Sequence, residues 1–552
     1  MTWDPDRDDP PWWTRATGYQ VYPRSFCDSD GDGIGDIPGI ISKLDYLADL
    51  GIGFIWLSPV FASPMRDNGY DIADYRAIAP EFGTLADFDR LIEEGRARGI
   101  RIVMDLVVNH SSSEHRWFRA ACGSRDAREH GYYIWRDPGP DGGPPDDQRA
   151  IFGGPAWTFV PEVGRYYYGH FSPGQPDLEW RNPALREEIH DMMRWWADRG
   201  IGGFRMDVIS LIGKDVDARI YENGPHLHAY LREMHREVLE GRDLLTVGES
   251  WSVTPRTALD FCGRGRRELD TVFHFNHIVA FWDPEDARWR PKPFDLVTFK
   301  RILFEWQVAL ADDGWNTLFL SNHDLPRQVS KYGDDGVHRV ASAKMLAMVM
   351  HLMKGTPYIY QGEEIGMTNM AFDSVDELSD VETLGQYAER VGAGMTREDF
   401  LAAANAEGRE HARTPMQWTP AAGAGFTDGR AWMPVNPNHE WINVEADMAD
   451  PDGIRAFYRE LVKLRLDEKV IAFGRFVPFA EDHPAVVAYA RVLGSERVSV
   501  VANFTGAEVD FDVPDGLAGS GGCICATYGP RDGLQDRIRL DPYEAFAVLV
   551  SE

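Results

Sequence analysis

Along this chain, short apolar runs alternate with stretches whose apolar residues recur at helical spacing. A strand buried on both faces reads as a continuous apolar run. By that criterion strands are expected at Gly18–Arg24, Gly53–Ser58, Arg101–Val108, Gly203–Val208, Leu244–Glu249, Thr271–Asn276, Thr317–Asn322 and Pro357–Gln361. Between the first two, Ile40, Leu44, Leu47 and Leu50 mark one face of a helix, and Gly51 suits the left-handed residue after it. Thr84 caps an expected helix over Leu85–Arg98, closed by Gly99. Asn182 and Pro183 open another that runs to Gly200. Eight strands in a βα rhythm predict an α/β fold, a (β/α)8 barrel.

The rhythm breaks in three places. Residues 111–175 are rich in Gly, Pro and Tyr and read as an inserted lid subdomain. Residues 364–430 form a second polar excursion. From residue 478 onward, Ala485–Arg491, Arg497–Asn503, Glu508–Val513 and Ala545–Val550 alternate as strands of an antiparallel β-sandwich. The expected division is a barrel over 1–110 and 176–477, an insert over 111–175, and a C-terminal domain over 478–552.

Four of the apolar runs end in ionisable residues: Asp105–His110, Gly203–Val208, Val247–Trp251 and Ser321–Asp324. The carboxyl ends of barrel strands are where a barrel presents its chemistry. The resulting set is Asp207, Glu249 and Asp324, with Arg205, His110 and His323. Paired carboxylates on a barrel rim suit the breaking of a glycosidic bond, one attacking and one donating a proton. Arg205 and Asp207 stand two apart in a strand and share a face, so the guanidinium can hold the aspartate ionised. Glu249 lies next to apolar and aromatic residues, Trp251 among them, which favours a proton donor. Asp324 and the two histidines are suited to sugar hydroxyls.

The net charge is 57 − 88 = −31, which repels nucleic acid and anionic membrane and leaves a small neutral oligosaccharide as the expected partner. Aromatics make up 12% of the chain, with 18 Trp, compatible with sugar stacking. Cys27, Cys122, Cys262, Cys523 and Cys525 have no framework spacing and are expected reduced. The N-terminus has no apolar signal core, and no 18-residue apolar stretch occurs. A cytoplasmic monomer or weak homo-oligomer is expected.

The four segments, in order and spacing, resemble those of the α-amylase superfamily (glycoside hydrolase family 13), over essentially the whole chain. That resemblance implies a retaining mechanism with Asp207 as nucleophile, Glu249 as acid/base and Asp324 as stabiliser of the distorted sugar. Arg205, His110 and His323 are implied as contacts of the reacting glucose. Asp67–Tyr70 resembles a motif of the oligo-1,6-glucosidase and dextran glucosidase branch, in which the Asp holds the outer hydroxyls and the Tyr stacks on the ring. Arg413 is similar to the arginine that pairs with that Asp, and Phe171 and Gln175 to further pocket contacts. Val208 resembles the residue of α-1,6-acting members, and Trp251 the dextran glucosidase pattern.

The loop Asp28–Asp36 sets Asp at alternate positions with Gly between, offering hard oxygen ligands for Ca2+ or Mg2+. It begins like an EF-hand loop, but Gly39 stands where the bidentate Glu belongs. The family resemblance implies a structural site made of Asp28, Asp30, Asp32, the Ile34 carbonyl and Asp36. No organic cofactor is expected, because the loop glycines lack a dinucleotide fingerprint's following helix. The readings left open are an exo-acting α-1,6-glucosidase, a trehalose-6-phosphate hydrolase, a broad α-glucosidase, and a transglycosylase or sugar isomerase. A non-catalytic transporter subunit is disfavoured by the intact carboxylates.

Overall fold

The computed structural model describes residues 10–551. All eight expected barrel strands form: β1 (Gly18–Val21), β2 (Phe54–Leu57), β3 (Arg101–Leu106), β4 (Gly203–Met206), β5 (Leu245–Glu249), β6 (Thr271–Phe273), β7 (Thr317–Leu318) and β8 (Thr356–Tyr360). They pair in parallel in the order β6-β5-β4-β3-β2-β1-β8-β7. The ring closes between β6 and β7 through a single parallel bridge, Val272 to Asn316. Two threonines reinforce that seam: Thr317 Oγ1 donates to the Val272 carbonyl at 2.8 Å and Thr271 Oγ1 to the Trp315 carbonyl at 2.9 Å. The strands are buried on both faces, which is why each reads as an apolar run.

Local signals place the helices. Thr84 and Asp87 form a reciprocal capping box on Leu85–Ala97, and Asn182 caps Pro183–Arg199, which ends at left-handed Gly200. The single helix expected through Ile40–Leu50 is two, Ile37–Ser42 and Leu44–Leu50, because Lys43 leaves helical geometry (φ −106°, ψ 3°). Its apolar residues still face the core, and Gly51 closes the second piece at φ 88°.

The segment 111–175 holds a short helix, Arg116–Gly123, and a three-stranded sheet. After β8, helices Val381–Gly392 and Arg397–Glu407 lie over the same barrel face and touch that insert: Gln386 Nε2 donates to the Ile151 carbonyl at 2.7 Å. A five-stranded antiparallel sheet begins at Arg475, and the antiparallel pair Val509–Asp512/Arg537–Leu540 shares a core with it through Phe511, Leu540, Val501 and Phe546. The strands at Arg475–Phe479, Gly522–Ala526 and Arg537–Leu540 are additions to those expected. Buried Lys300 joins barrel to sheet by donating to the carbonyls of Ala480 (2.6 Å), His483 (2.5 Å) and Val486 (2.8 Å). No helix among the described residues is long and apolar enough to cross a membrane. All five cysteines are free thiols.

Candidate active site

The centre of the site is Arg205, only 1% exposed, on β4. Its Nη1 donates to Asp105 Oδ1 at 2.9 Å and to Asp207 Oδ1 at 2.8 Å, and its Nη2 donates to Glu249 Oε2 at 2.5 Å. The guanidinium lies 4.8 Å from the Trp56 ring. One fixed fork thereby orients three carboxylates from β3, β4 and β5. Asp105 escaped the sequence reading as a site residue, although an acid within an apolar strand was a visible signal.

Val208, next in sequence to Asp207, has φ 36° and ψ 43°, a left-handed conformation that β-branched residues rarely adopt. That turn aims its amide at Glu249 Oε2, 3.1 Å away. Trp251 Nε1 donates to the other Glu249 oxygen at 2.8 Å, and its indole stacks on Phe275 with centroids 3.8 Å apart. Glu249 is thus fixed by a guanidinium, an amide and an indole.

Buried carboxylates that share one guanidinium disfavour one another's charged forms. Burial raises Asp105 to about 6 against the pull of Arg205. Burial likewise raises Asp207; Arg205 opposes this, and Glu249 and Asp105 add to it.

A second network closes the far end. Arg409 pairs with Asp67 at 3.2 Å, Asp324 at 3.1 Å and Asp380 at 2.6 Å. Arg413 pairs with Asp324 at 3.0 Å and Asp380 at 2.6 Å. The expected pairing of Arg413 with Asp67 is therefore corrected: Arg409 makes that ion pair, and Arg413 supports Asp324 from beneath. Burial alone would raise Asp324, but the charges around it hold its carboxyl well below the usual range. Arg409, Arg413 and Arg288 supply that charge, because burial keeps His323 near 3 and neutral. Asp67 is raised by burial to about 7 even beside Arg409.

The two histidines serve the protein first. His323 Nε2 lies 3.1 Å from Asp324 Oδ2 and Nδ1 lies 2.8 Å from Gln20 Nε2. His110 Nε2 lies 3.0 Å from the Tyr70 carbonyl and Nδ1 lies 3.1 Å from Asn109 Nδ2. The Tyr70 ring stacks on His323 at 5.2 Å, and its hydroxyl donates to Asp105 at 3.0 Å. Gln175 donates to Asp67 Oδ2 at 2.9 Å.

A pocket of about 290 Å3 brings together Asp67, Tyr70, His110, Phe171, Gln175, Asp207, Val208, Glu249, Trp251 and Asp324. Arg205, His323 and Arg413 lie behind this lining. Arg288, Trp282, Phe152, Glu222, Glu382 and Arg409 also line it and were missed. Most of these sit on irregular loops, which carry no periodicity to mark them.

On the acidic loop, Asp28, Asp30 and Asp36 each bring a carboxylate oxygen within 4.8 Å of the others. Three hard anionic oxygens fit a Ca2+ or Mg2+ ion. Asp32 is outside that trio, its Oδ1 accepting from the Ile34 amide at 2.7 Å. The loop is pinned to the segment after Phe426: Asp28 donates its amide to the Phe426 carbonyl at 2.9 Å, and Trp432 donates to the Gly33 carbonyl at 3.0 Å.

Comparison with known proteins agrees with this geometry. The family description "Alpha amylase, catalytic domain" matches residues 20–474. The chain belongs to the alpha-amylase family, glycoside hydrolase family 13, and is a glycoside hydrolase of its α-glucosidase group. It is 52% identical to a palatinase of Erwinia rhapontici over 98% of this chain and 99% of that one. It is 47% identical to an oligo-1,6-glucosidase of Halalkalibacterium halodurans over 97% and 98% of the two chains. The crystal structure of Bacillus licheniformis trehalose-6-phosphate hydrolase superposes with a TM-score of 0.93 at 42% identity, covering 98% and 100% of the two chains.

Proposed function

We propose that the protein is a retaining, exo-acting α-glucosidase that releases glucose from the non-reducing end of α-1,6-linked oligosaccharides. The observation that carries this reading is the Asp67–Arg409–Asp324–Arg413 network at the closed end of a pocket beside the paired carboxylates. Charged groups in that position can bind the outer hydroxyls of a terminal glucose and leave no room for a further unit beyond it.

In this mechanism Asp207 attacks the anomeric carbon and Glu249 gives its proton to the departing oxygen. Glu249 then takes a proton from the water that hydrolyses the glycosyl-enzyme. Because both groups hang on one guanidinium fork, the arrangement supports the short carboxylate spacing of retaining enzymes, roughly 5–5.5 Å. The donation step requires Glu249 to carry a proton when the substrate binds. Asp324, held anionic, would bind sugar hydroxyls and favour positive charge on the ring.

Val208 in the pocket lining next to Asp207, and likeness to an oligo-1,6-glucosidase, support the α-1,6 linkage. A phosphorylated substrate is disfavoured, because the lining cations are already engaged: Arg288 Nη1 donates to the Asp324 carbonyl at 2.8 Å and its Nε lies 3.6 Å from Glu382, while Arg409 pairs with Asp67, Asp324 and Asp380. Asp28, Asp30 and Asp36 would hold a structural divalent cation that neutralises their charge and braces the loop. Five free thiols support a cytoplasmic setting.

Initial rates on isomaltose, panose, palatinose, maltose, sucrose and trehalose-6-phosphate, with products separated, test this. Glucose release fastest from the α-1,6 substrates is expected. Faster turnover of the phosphorylated or α-1,4-linked sugar would overturn the linkage while leaving the family intact.

A further inference from the structure

Glu222 lines the active-site pocket but has no part in the bond-breaking steps above. It lies between β4 and β5, where the chain is bonded to the segments that follow both strands. Ser210, three residues after Asp207, donates its hydroxyl to Glu222 Oε2 at 2.9 Å. Ser252, three residues after Glu249, donates to the same oxygen through its hydroxyl at 2.6 Å and its amide at 3.1 Å. Asn223 repeats the bridge: its amide donates to the Ser210 carbonyl at 3.0 Å and its Nδ2 to Ser252 Oγ at 2.9 Å. Its backbone is left-handed at φ 54°, which asparagine accepts more readily than most residues.

The two ends of this bridge differ. Ser210 is 1% exposed and set in the core, whereas Ser252 lies at the surface. Glu222 thus carries position outward, from a buried anchor to the segment that bears Trp251. The Trp251 indole stacks on Phe275 and lies 5.7 Å from Trp282, and its Nε1 donates to Glu249 Oε1 at 2.8 Å. Stacking sets the plane and spacing of two rings but tolerates offset between them. A hydrogen bond of that length tolerates much less. Anchoring Ser252, the next residue, removes the sliding freedom that stacking leaves. A carboxylate suits the task, since one of its oxygens accepts several donors and its bonds are roughly twice as strong as neutral ones.

We infer that Glu222 is a positioning residue for the acid/base: through Ser252 it holds Trp251 in hydrogen-bonding register with Glu249. The inference rests on the reading of Glu249 as proton donor, and it adds a carboxylate from outside the strand ends.

The test measures kcat/KM on isomaltose and on p-nitrophenyl α-glucoside, whose leaving group needs no proton. It compares the wild type with Glu222→Met, Glu222→Gln, Trp251→Phe and the double variant Glu222→Met/Trp251→Phe, each checked for folding by circular dichroism. Glu222→Met should lower the isomaltose value by about tenfold and the nitrophenyl value by less than about threefold. Glu222→Gln, which keeps an acceptor oxygen, should stay within about threefold of wild type on both. With Trp251→Phe already present, Glu222→Met should cost little more, because the group it acts through is gone. Ser252→Ala removes one of the same bonds from the surface side and should show the same substrate preference, so a misfolded methionine variant does not end the test. Equal losses on the two substrates, no loss at all, or a loss that adds in full to that of Trp251→Phe overturns the proposal. The parent reading fails in a different way, with Glu249→Gln itself costing both substrates equally.

Discussion

Arg409 reaches Asp67 at 3.2 Å while also contacting Asp324, so one side chain links the closed end of the pocket to one of the three carboxylates at strand ends. Removing one partner of a buried ion pair costs about 3–5 kcal/mol, because the other charge is left uncompensated. Arg409→Met should lower kcat/KM on isomaltose by 100-fold or more, whereas Arg413→Met should act chiefly through Asp324. An Arg409→Met enzyme within a few-fold of wild type would remove this network from substrate binding.

Asp207 and Glu249, both held by Arg205, should fail in different ways. Asp207→Asn should abolish turnover of every glucoside. Glu249→Gln should lose roughly 10²–10⁴-fold on isomaltose, and far less on p-nitrophenyl α-glucoside, whose leaving group needs no proton. Equal losses on both substrates would contradict the assignment of Glu249 as proton donor.

Val208→Thr keeps the branched Cβ and adds a hydroxyl inside the pocket. The ratio of maltose to isomaltose hydrolysis should rise. An unchanged ratio would mean that linkage preference is set elsewhere.

The metal loop is remote from the chemistry in this reading. Chelation, or Asp28→Asn, should lower the melting temperature and leave the initial kcat at 25 °C nearly unchanged, since binding to the folded state alone is stabilising. Thermal scans with and without added Ca2+ and Mg2+ check this. A melting temperature that ignores both chelator and ions would argue against bound metal.

His351 offers a test of pH linkage away from the site. Burial holds it at about 3, against about 6.5 when unfolded. Its contribution to stability is therefore present above pH 6.5 and lost as the pH falls below that value. His351→Phe, whatever it costs at pH 7, should cost about 2 kcal/mol less at pH 5. Urea unfolding at the two pH values reads the difference directly.

Much of this architecture is legible in the sequence because each barrel strand is buried on both faces and ends in the polar residues it presents. Asp207, Glu249 and Asp324 could be found that way. Arg409 could not be told from Arg413, because four residues put both on one side of a helical turn. Only the contacts of that turn with His323, Asp324 and the Asp67 loop show which one reaches Asp67. Trp282 and Arg288 sit on a loop where neither period two nor period 3.6 operates. The strand Arg537–Leu540 is short and alternates charged residues, so its apolar face is two residues long.

The backbone of Val208 has a consequence for how such a site can change over evolutionary time. A residue that touches substrate here also sits in a conformation costing of order 1–3 kcal/mol for a branched side chain. Exchanging it for another branched residue alters chemical preference at nearly constant strain. Exchanging it for glycine would relax the turn that aims an amide at Glu249. Drift in selectivity along this lineage is therefore channelled: the substitutions that leave the proton donor in place are the few that accept the same awkward torsion.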